Sequence, residues 1–110
     1  MLFVNLEHFA LRSRTDIETI ARTVEEKLAG LDKRVYAIVN YDHFSILSEL
    51  LDDYSAVVRQ PTDRFYSGVS RYTTSGFFRI KFGEALQRRG VAPRIFESAE
   101  NARSDWRHVG

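Results

Sequence analysis

Apolar residues recur along the chain with two alternating periods, and the alternation predicts four strand–helix units. Phe3, Val4 and Leu6 open a short strand. Thr15-Asp16-Ile17-Glu18 reads as a capping box, in which a hydroxyl and a carboxylate satisfy the free amides at a helix start. Ile17, Ile20, Val24, Leu28 and Leu31 follow at spacings of three and four, so they share one helical face, and Gly30 is placed to close that helix in a left-handed cap. Val35-Tyr36-Ala37-Ile38-Val39 is a continuous apolar run rich in β-branched residues, the pattern of a strand buried on both faces. Leu47, Leu50, Leu51, Tyr54, Val57 and Val58 define a second helix, which Pro61 is expected to break or kink near Gln60.

The second half repeats the alternation. Gly68 and Val69 to Thr74 predict a third strand, more polar than the second and so nearer an edge. Ser75-Gly76 starts a helix with Phe78, Phe82, Ala85 and Leu86 inward and Gly90 as its stop. Pro93 to Glu97 reads as a fourth strand, and Ser98 caps a last helix ending near Trp106, with residues 103–110 expected to fray. No internal repeat, low-complexity segment or linker stands out. The expected fold is a single α/β domain over residues 1–110: four βα units, a mostly parallel sheet and helices packed beside it, joined by right-handed crossovers.

Composition narrows the chemistry. With 110 residues and no cysteine, the chain has one core and no disulfide, thiolate metal site or cysteine nucleophile, which fits a cytoplasmic setting. No apolar run approaches the roughly 20 residues that span a bilayer, so no membrane association is expected. Net charge is +1 but unevenly spread: residues 1–60 carry −3 and residues 61–110 carry +4. Such polarity suits docking to a complementary surface or self-association.

In a parallel α/β sheet, ligands and partners meet the carboxyl ends of the strands. Here those ends are polar: Glu7 and His8, Asn40 to His43, Thr73 to Ser75, and Glu97 with Ser98. An acyl or nucleotide ligand site there would draw on Asn40, Asp42, His43, Arg71, Thr73, Thr74 and Ser75. A hydrolase would need Ser75 as nucleophile with His43 or His8 as base and Asp42 behind it, but Asp42 and His43 are adjacent and their side chains diverge; no Gly-x-Ser-x-Gly elbow surrounds Ser75. His8, His43, Asp42 and Glu7 lack the spacing of a metal motif, so no metal and no cofactor are expected. Six basic residues and one acidic residue lie between Arg71 and Arg94, without the aromatic platform of a nucleic-acid binder, since Phe78 and Phe82 are needed in the core. Ser75 sits at a helix start, where its hydroxyl caps the helix or accepts a phosphoryl group. Phe77 and Ile80 project away from the inward stripe of their helix and suggest a contact surface.

Two resemblances give these residues a context. Val35 to Asp42, Phe65-Tyr66, Arg71-Tyr72-Thr73-Thr74-Ser75, Arg89-Gly90-Val91-Ala92-Pro93 and Phe96-Glu97-Ser98 resemble the extra C-terminal domain of bacterial acyl-CoA:acetate/3-ketoacid CoA-transferases, over about residues 3 to 102. That family's catalytic glutamate lies in a Ser-Glu-Asn-Gly motif; here Glu100-Asn101 is followed by Ala102. The resemblance therefore implies an accessory domain, not an enzyme on its own. It implies docking to, or regulation of, a transferase-type protein partner or a second copy, with acyl-CoA kept open as a ligand. The stretch from Gly68 through Arg89-Gly90 also resembles the latter half of a STAS domain, the anti-sigma factor antagonist fold. In phosphorylatable members the serine before the glycine is the acceptor, which implies Ser75 in a partner-switching module; Thr73 stands where those members often carry Asp.

Overall fold

The computed structural model describes residues 2–109, with side chains as far as Asp105. The side chains of Trp106 and His108, and Met1, lie outside the described residues. Four parallel strands form the main sheet: β1 (Leu2–Asn5), β3 (Val35–Asn40), β5 (Tyr66–Tyr72) and β6 (Ile95–Phe96), side by side in chain order. Each connection advances the sheet by one strand in the same direction. The three crossover helices, α1 (Arg14–Leu28), α2 (Leu51–Arg64) and α3 (Gly76–Arg88), accordingly share one face of the sheet, and α4 (Ala99–Val109) covers β3, β5 and β6 on the other. The four βα units are therefore present.

Two further strands of two residues each, β2 (Ala10–Leu11) and β4 (Ser45–Ile46), pair in parallel beyond the ends of β1 and β3. They are too short to leave a periodic signal. A single 3-10 turn, Ser48–Leu50, leads into α2.

Side chains of β3 alternate between the two faces. Ala37 and Val39 face α1–α3, while Tyr36 and Ile38 face α4, and every residue from Tyr36 to Asn40 is buried, as the apolar run predicts. β5 differs from expectation. It lies between β3 and β6 rather than near an edge, and its polar Ser70 and Arg71 are buried. Both find distant partners: Ser70 the carboxylate of Asp105 at 3.0 Å, Arg71 the carbonyls of Ala92 and Pro93 at 3.3 and 2.9 Å.

Several local signals act at other positions than expected. Ser13, not Thr15, caps α1: its Oγ accepts from the Asp16 amide at 3.3 Å, and the Asp16 carboxylate reaches back to the Arg12 amide at 2.9 Å. Ser-x-x-Asp thus does the work expected of Thr-x-x-Glu two residues earlier, except that the carboxylate reaches the amide before the cap rather than the cap's own. Gly30 does not close α1, which ends through Ala29 in right-handed geometry. Gly90 closes α3 with φ +73°, and the Val91 amide bonds back to the Leu86 carbonyl at 2.9 Å. Pro61 does not end α2; it sits in the last turn, where its carbonyl accepts from the Phe65 amide at 2.8 Å. Leu31 and Leu47 lie beyond the ends of their helices and are exposed rather than inward. The segment from 103 carries α4 on to Val109, and Ser98 caps that helix as expected, accepting from the Asn101 amide at 3.1 Å.

A bulge sets the approach of β3 to β5. Val35 pairs with Tyr66 but Tyr36 pairs with Gly68, so Ser67 is an extra residue on β5. A Cβ on Gly68 would lie 2.8 Å from Tyr36 Cε2 and 2.9 Å from Cδ2. The Tyr36 ring has little freedom to yield, because its hydroxyl is bonded to Ser70 and Asp105. Gly68→Ala is expected to lower stability by about 1–3 kcal/mol through this overpacking. Urea unfolding monitored by tyrosine fluorescence measures it; an unchanged midpoint would show that the ring moves aside freely.

Candidate functional site

The carboxyl ends of β1 and β3 continue into two β-turns of the same design. In Leu6-Glu7-His8-Phe9 the Phe9 amide bonds to the Leu6 carbonyl at 3.2 Å, and in Tyr41-Asp42-His43-Phe44 the Phe44 amide bonds to the Tyr41 carbonyl at 3.2 Å. The third residue of each turn is a histidine in left-handed geometry, His8 at φ 67° and His43 at φ 56°, a position that favours glycine. An asparagine precedes each turn and steadies it: Asn5 Oδ1 accepts from the Glu7 amide at 3.1 Å, and Asn40 Oδ1 from the Asp42 amide at 2.8 Å.

These likenesses expose a duplication in the sequence. Val4-Asn5-Leu6-Glu7-His8-Phe9 and Val39-Asn40-Tyr41-Asp42-His43-Phe44 share Val-Asn-x-acid-His-Phe at an offset of 35 residues. The expectation of no internal repeat is corrected accordingly. Each copy is followed by a two-residue strand and then by a helix.

Parallel pairing stacks one turn on the other. The Leu6 amide bonds to the Asn40 carbonyl at 3.0 Å and the His8 amide to the Asp42 carbonyl at 3.3 Å. Asn40 Nδ2 donates to Asn5 Oδ1 at 3.1 Å and to Glu7 Oε2 at 3.3 Å. The two exposed imidazoles lie face to face, ring centres 4.9 Å apart and planes 7° from parallel, with the outer Glu7 oxygen 3.2 Å from His8 Nε2.

The end of β5 joins this rim. Asp42 Oδ1 accepts from the Thr74 amide at 2.6 Å, tying the second turn to the start of α3. Thr73 Oγ1 accepts from the Ser75 amide at 3.2 Å, and Ser75 Oγ accepts from the Phe78 amide at 3.2 Å as the cap of α3. Below the rim, burial pushes the Tyr72 phenol up from its ordinary value, and the nearby Asp42 and Glu7 carboxylates push it the same way.

Asn40, Asp42, His43, Thr73, Thr74 and Ser75 thus share one edge, together with Asn5, Glu7 and His8. Arg71 does not reach that edge. It faces α2 and α3 from the sheet and is buried, because its side chain alternates with those of Ser70 and Tyr72 on the opposite face. A ligand site combining Arg71 with Asn40, Asp42 and Ser75 is therefore not assembled. The rim's polar groups largely satisfy one another: Asp42 holds Thr74, Glu7 holds Asn40 and His8, and Ser75 caps a helix. Among the described residues, neither His8 nor His43 is hydrogen-bonded to Ser75, and no group of three His, Asp or Glu side chains is placed to hold a metal ion.

No family model, curated protein or solved structure matches this chain.

Beside the polar rim, the outer face of α3 is apolar and aromatic. Two and five residues after Ser75, Phe77 is 75% and Ile80 59% exposed, the two most exposed large hydrophobic side chains among the described residues. Phe77 borders a groove of about 330 Å³ whose walls include Ile46, Leu51, Phe78, Lys81 and Arg88. The Lys81 ammonium lies 5.9 Å from the centre of the Phe77 ring. No helix of the described residues is long and apolar enough to cross a membrane.

Proposed function

We propose that this chain is a non-catalytic docking module that binds a larger protein through the outer face of α3. The single observation that carries this reading is the exposure of Phe77 and Ile80 beside the groove of about 330 Å³. Adjacent exposed aromatic and aliphatic side chains on a helix are what a partner's pocket takes up. Lys81 and Arg88 on the groove wall stand beside Asp52 and Glu84, so the partner's surface is apolar at its centre and mixed in charge at its rim. The self-satisfied bonding of Asp42 and Ser75 supports a scaffold that orients α3 rather than a reaction centre. The sequence resemblance makes a CoA-transferase-type enzyme the first partner to try.

The test measures association of the chain with that enzyme by titration calorimetry, using the parent and a Phe77→Glu/Ile80→Glu double variant. Binding by the parent, weakened at least tenfold in the double variant with an unchanged unfolding curve, is the expected result. Equal affinities for the two proteins, or no association of the parent with transferase-type partners or with itself, would overturn the reading. Ser75 lies exposed two residues before Phe77, which favours phosphorylation as a second reading for control of the same surface. Ser75→Asp joins the series as its probe, and a parent-like affinity removes that control.

A further inference from the structure

Arg71 presents a charge problem unrelated to the α3 surface. Its side chain is 1% exposed; Nη1 donates to the carbonyls of Ala92 and Pro93, and the Tyr41 hydroxyl is a further hydrogen-bond partner of the guanidinium. Nε is buried with no acceptor. Among the described residues no carboxylate pairs with it. The guanidinium lies 6.0 Å from the centre of the Phe82 ring, so its other neighbours are aromatic. Guanidinium stays protonated in proteins, and an uncompensated buried charge is strongly unfavourable.

Arg71 also lines a cavity of about 50 Å³ beneath α1 and α2. Tyr41, Tyr54 and Tyr66 share its walls, and the remainder is apolar, Val24 and Val57 among it. The hydroxyls of Tyr41 and Tyr54 are 2.9 Å apart, so one donates to the other. The proton of the accepting hydroxyl is then free to donate onward. Tyrosinate does not supply the missing negative charge: burial pushes all three phenols up, Tyr66 to about 12, against the opposing pull of Arg71. The cavity thus offers a fixed positive charge and phenolic donors with no negative group.

We infer that this cavity is a binding site for a small monovalent anion, held by Arg71 and the hydroxyls of Tyr41 and Tyr54. At about 50 Å³ it has room for a small anion such as chloride, nitrate or formate, and the much larger gluconate does not fit. The anion neutralises Arg71 and accepts hydrogen bonds from Nε and from the free phenolic O–H. Water, the alternative occupant, would satisfy Nε but not the charge.

Line broadening of 35Cl in the NMR spectrum, titrated with the full chain at constant ionic strength, tests this directly. Excess broadening that saturates is expected, displaced by formate and nitrate but not by gluconate. The dissociation constant should weaken several-fold in Tyr54→Phe and at least tenfold in Arg71→Gln. Thermal unfolding supplies the second measurement, should Arg71→Gln not fold. The parent's midpoint should then rise with chloride relative to gluconate, and the rise should shrink in Tyr54→Phe. No excess broadening and no chloride-specific rise in the parent would mean that water fills the cavity. Broadening and midpoint shifts undiminished in Tyr54→Phe would place any bound anion elsewhere. Either result overturns the inference.

Discussion

Replacing Phe82 by alanine is expected to lower the unfolding free energy by about 3–5 kcal/mol, the range for deleting a fully buried aromatic ring. Phe82 is 0% exposed and stands where three elements meet. Its ring centre is 5.1 Å from that of Tyr41 at the end of β3, 5.7 Å from Tyr54 of α2, and 5.2 Å from Phe78 one helical turn away. Edge, tilted and stacked contacts of this kind add to the burial itself. Neighbouring side chains relax only partly into such a void, since Tyr41 and Tyr54 are held to each other by their hydroxyls. Small domains have only about 5–15 kcal/mol in total, so the loss is a large fraction of the whole and should lower the urea midpoint markedly. Urea unfolding of Phe82→Ala beside Phe77→Ala gives the contrast. Phe77, on the same helix but exposed, should change stability by no more than about 0.5 kcal/mol. Comparable losses in the two variants would mean that α3 does not pack as described.

The contrast between those two phenylalanines was legible in the sequence. Phe82 falls on the three-and-four spacing of Phe78, Ala85 and Leu86, and Phe77 does not. β3 was legible for a related reason, since a run of five apolar residues admits few alternatives to burial on both faces. β5 was not. Ser70 and Arg71 look like edge residues until their partners are known, and those lie 21 to 35 positions away in the chain. Local polarity measures how badly a group wants a partner, not whether the fold provides one. Convergence of the strand tips followed from topology, so Asn40, Asp42 and Ser75 could be placed on one rim. Arg71 could not, because one residue along a strand reverses the face. The duplicated Val-Asn-x-acid-His-Phe motif is visible only when the chain is compared with itself at a long offset, which periodicity never tests. The left-handed histidines had no sequence signal, since that backbone geometry usually announces itself with glycine.

The face of the sheet opposite Phe82 gives the second large effect, a loss of about 2–3 kcal/mol in Asp105→Ala from stranded, charge-assisted hydrogen bonds. Asp105 fastens α4 to the sheet: its Oδ2 accepts from Ser70 Oγ at 3.0 Å, from Tyr36 OH at 3.3 Å and from Arg94 Nη2. Removing the carboxylate takes an acceptor from fully buried Ser70 and the counter-charge from Arg94, which itself holds left-handed geometry at φ 42°. The same arrangement predicts a pH dependence. Burial alone would raise the Asp105 carboxyl, but the hydrogen bonds from Arg94, Ser70 and Tyr36, with the Arg94 charge, outweigh it and hold the group below its ordinary 3.8. A carboxylate depressed in the folded state stabilises fully above the unfolded value and loses that contribution as pH falls through the folded one. Asp105→Asn removes the charge and keeps the shape, so it should be less stable than the parent at pH 6. The gap should close as the pH is lowered below 3.8. Urea midpoints of both proteins across that range decide the matter. A gap that stays constant with pH would show that α4 is fastened by packing of Ala102, Phe96 and Tyr72 alone, with the carboxylate a bystander.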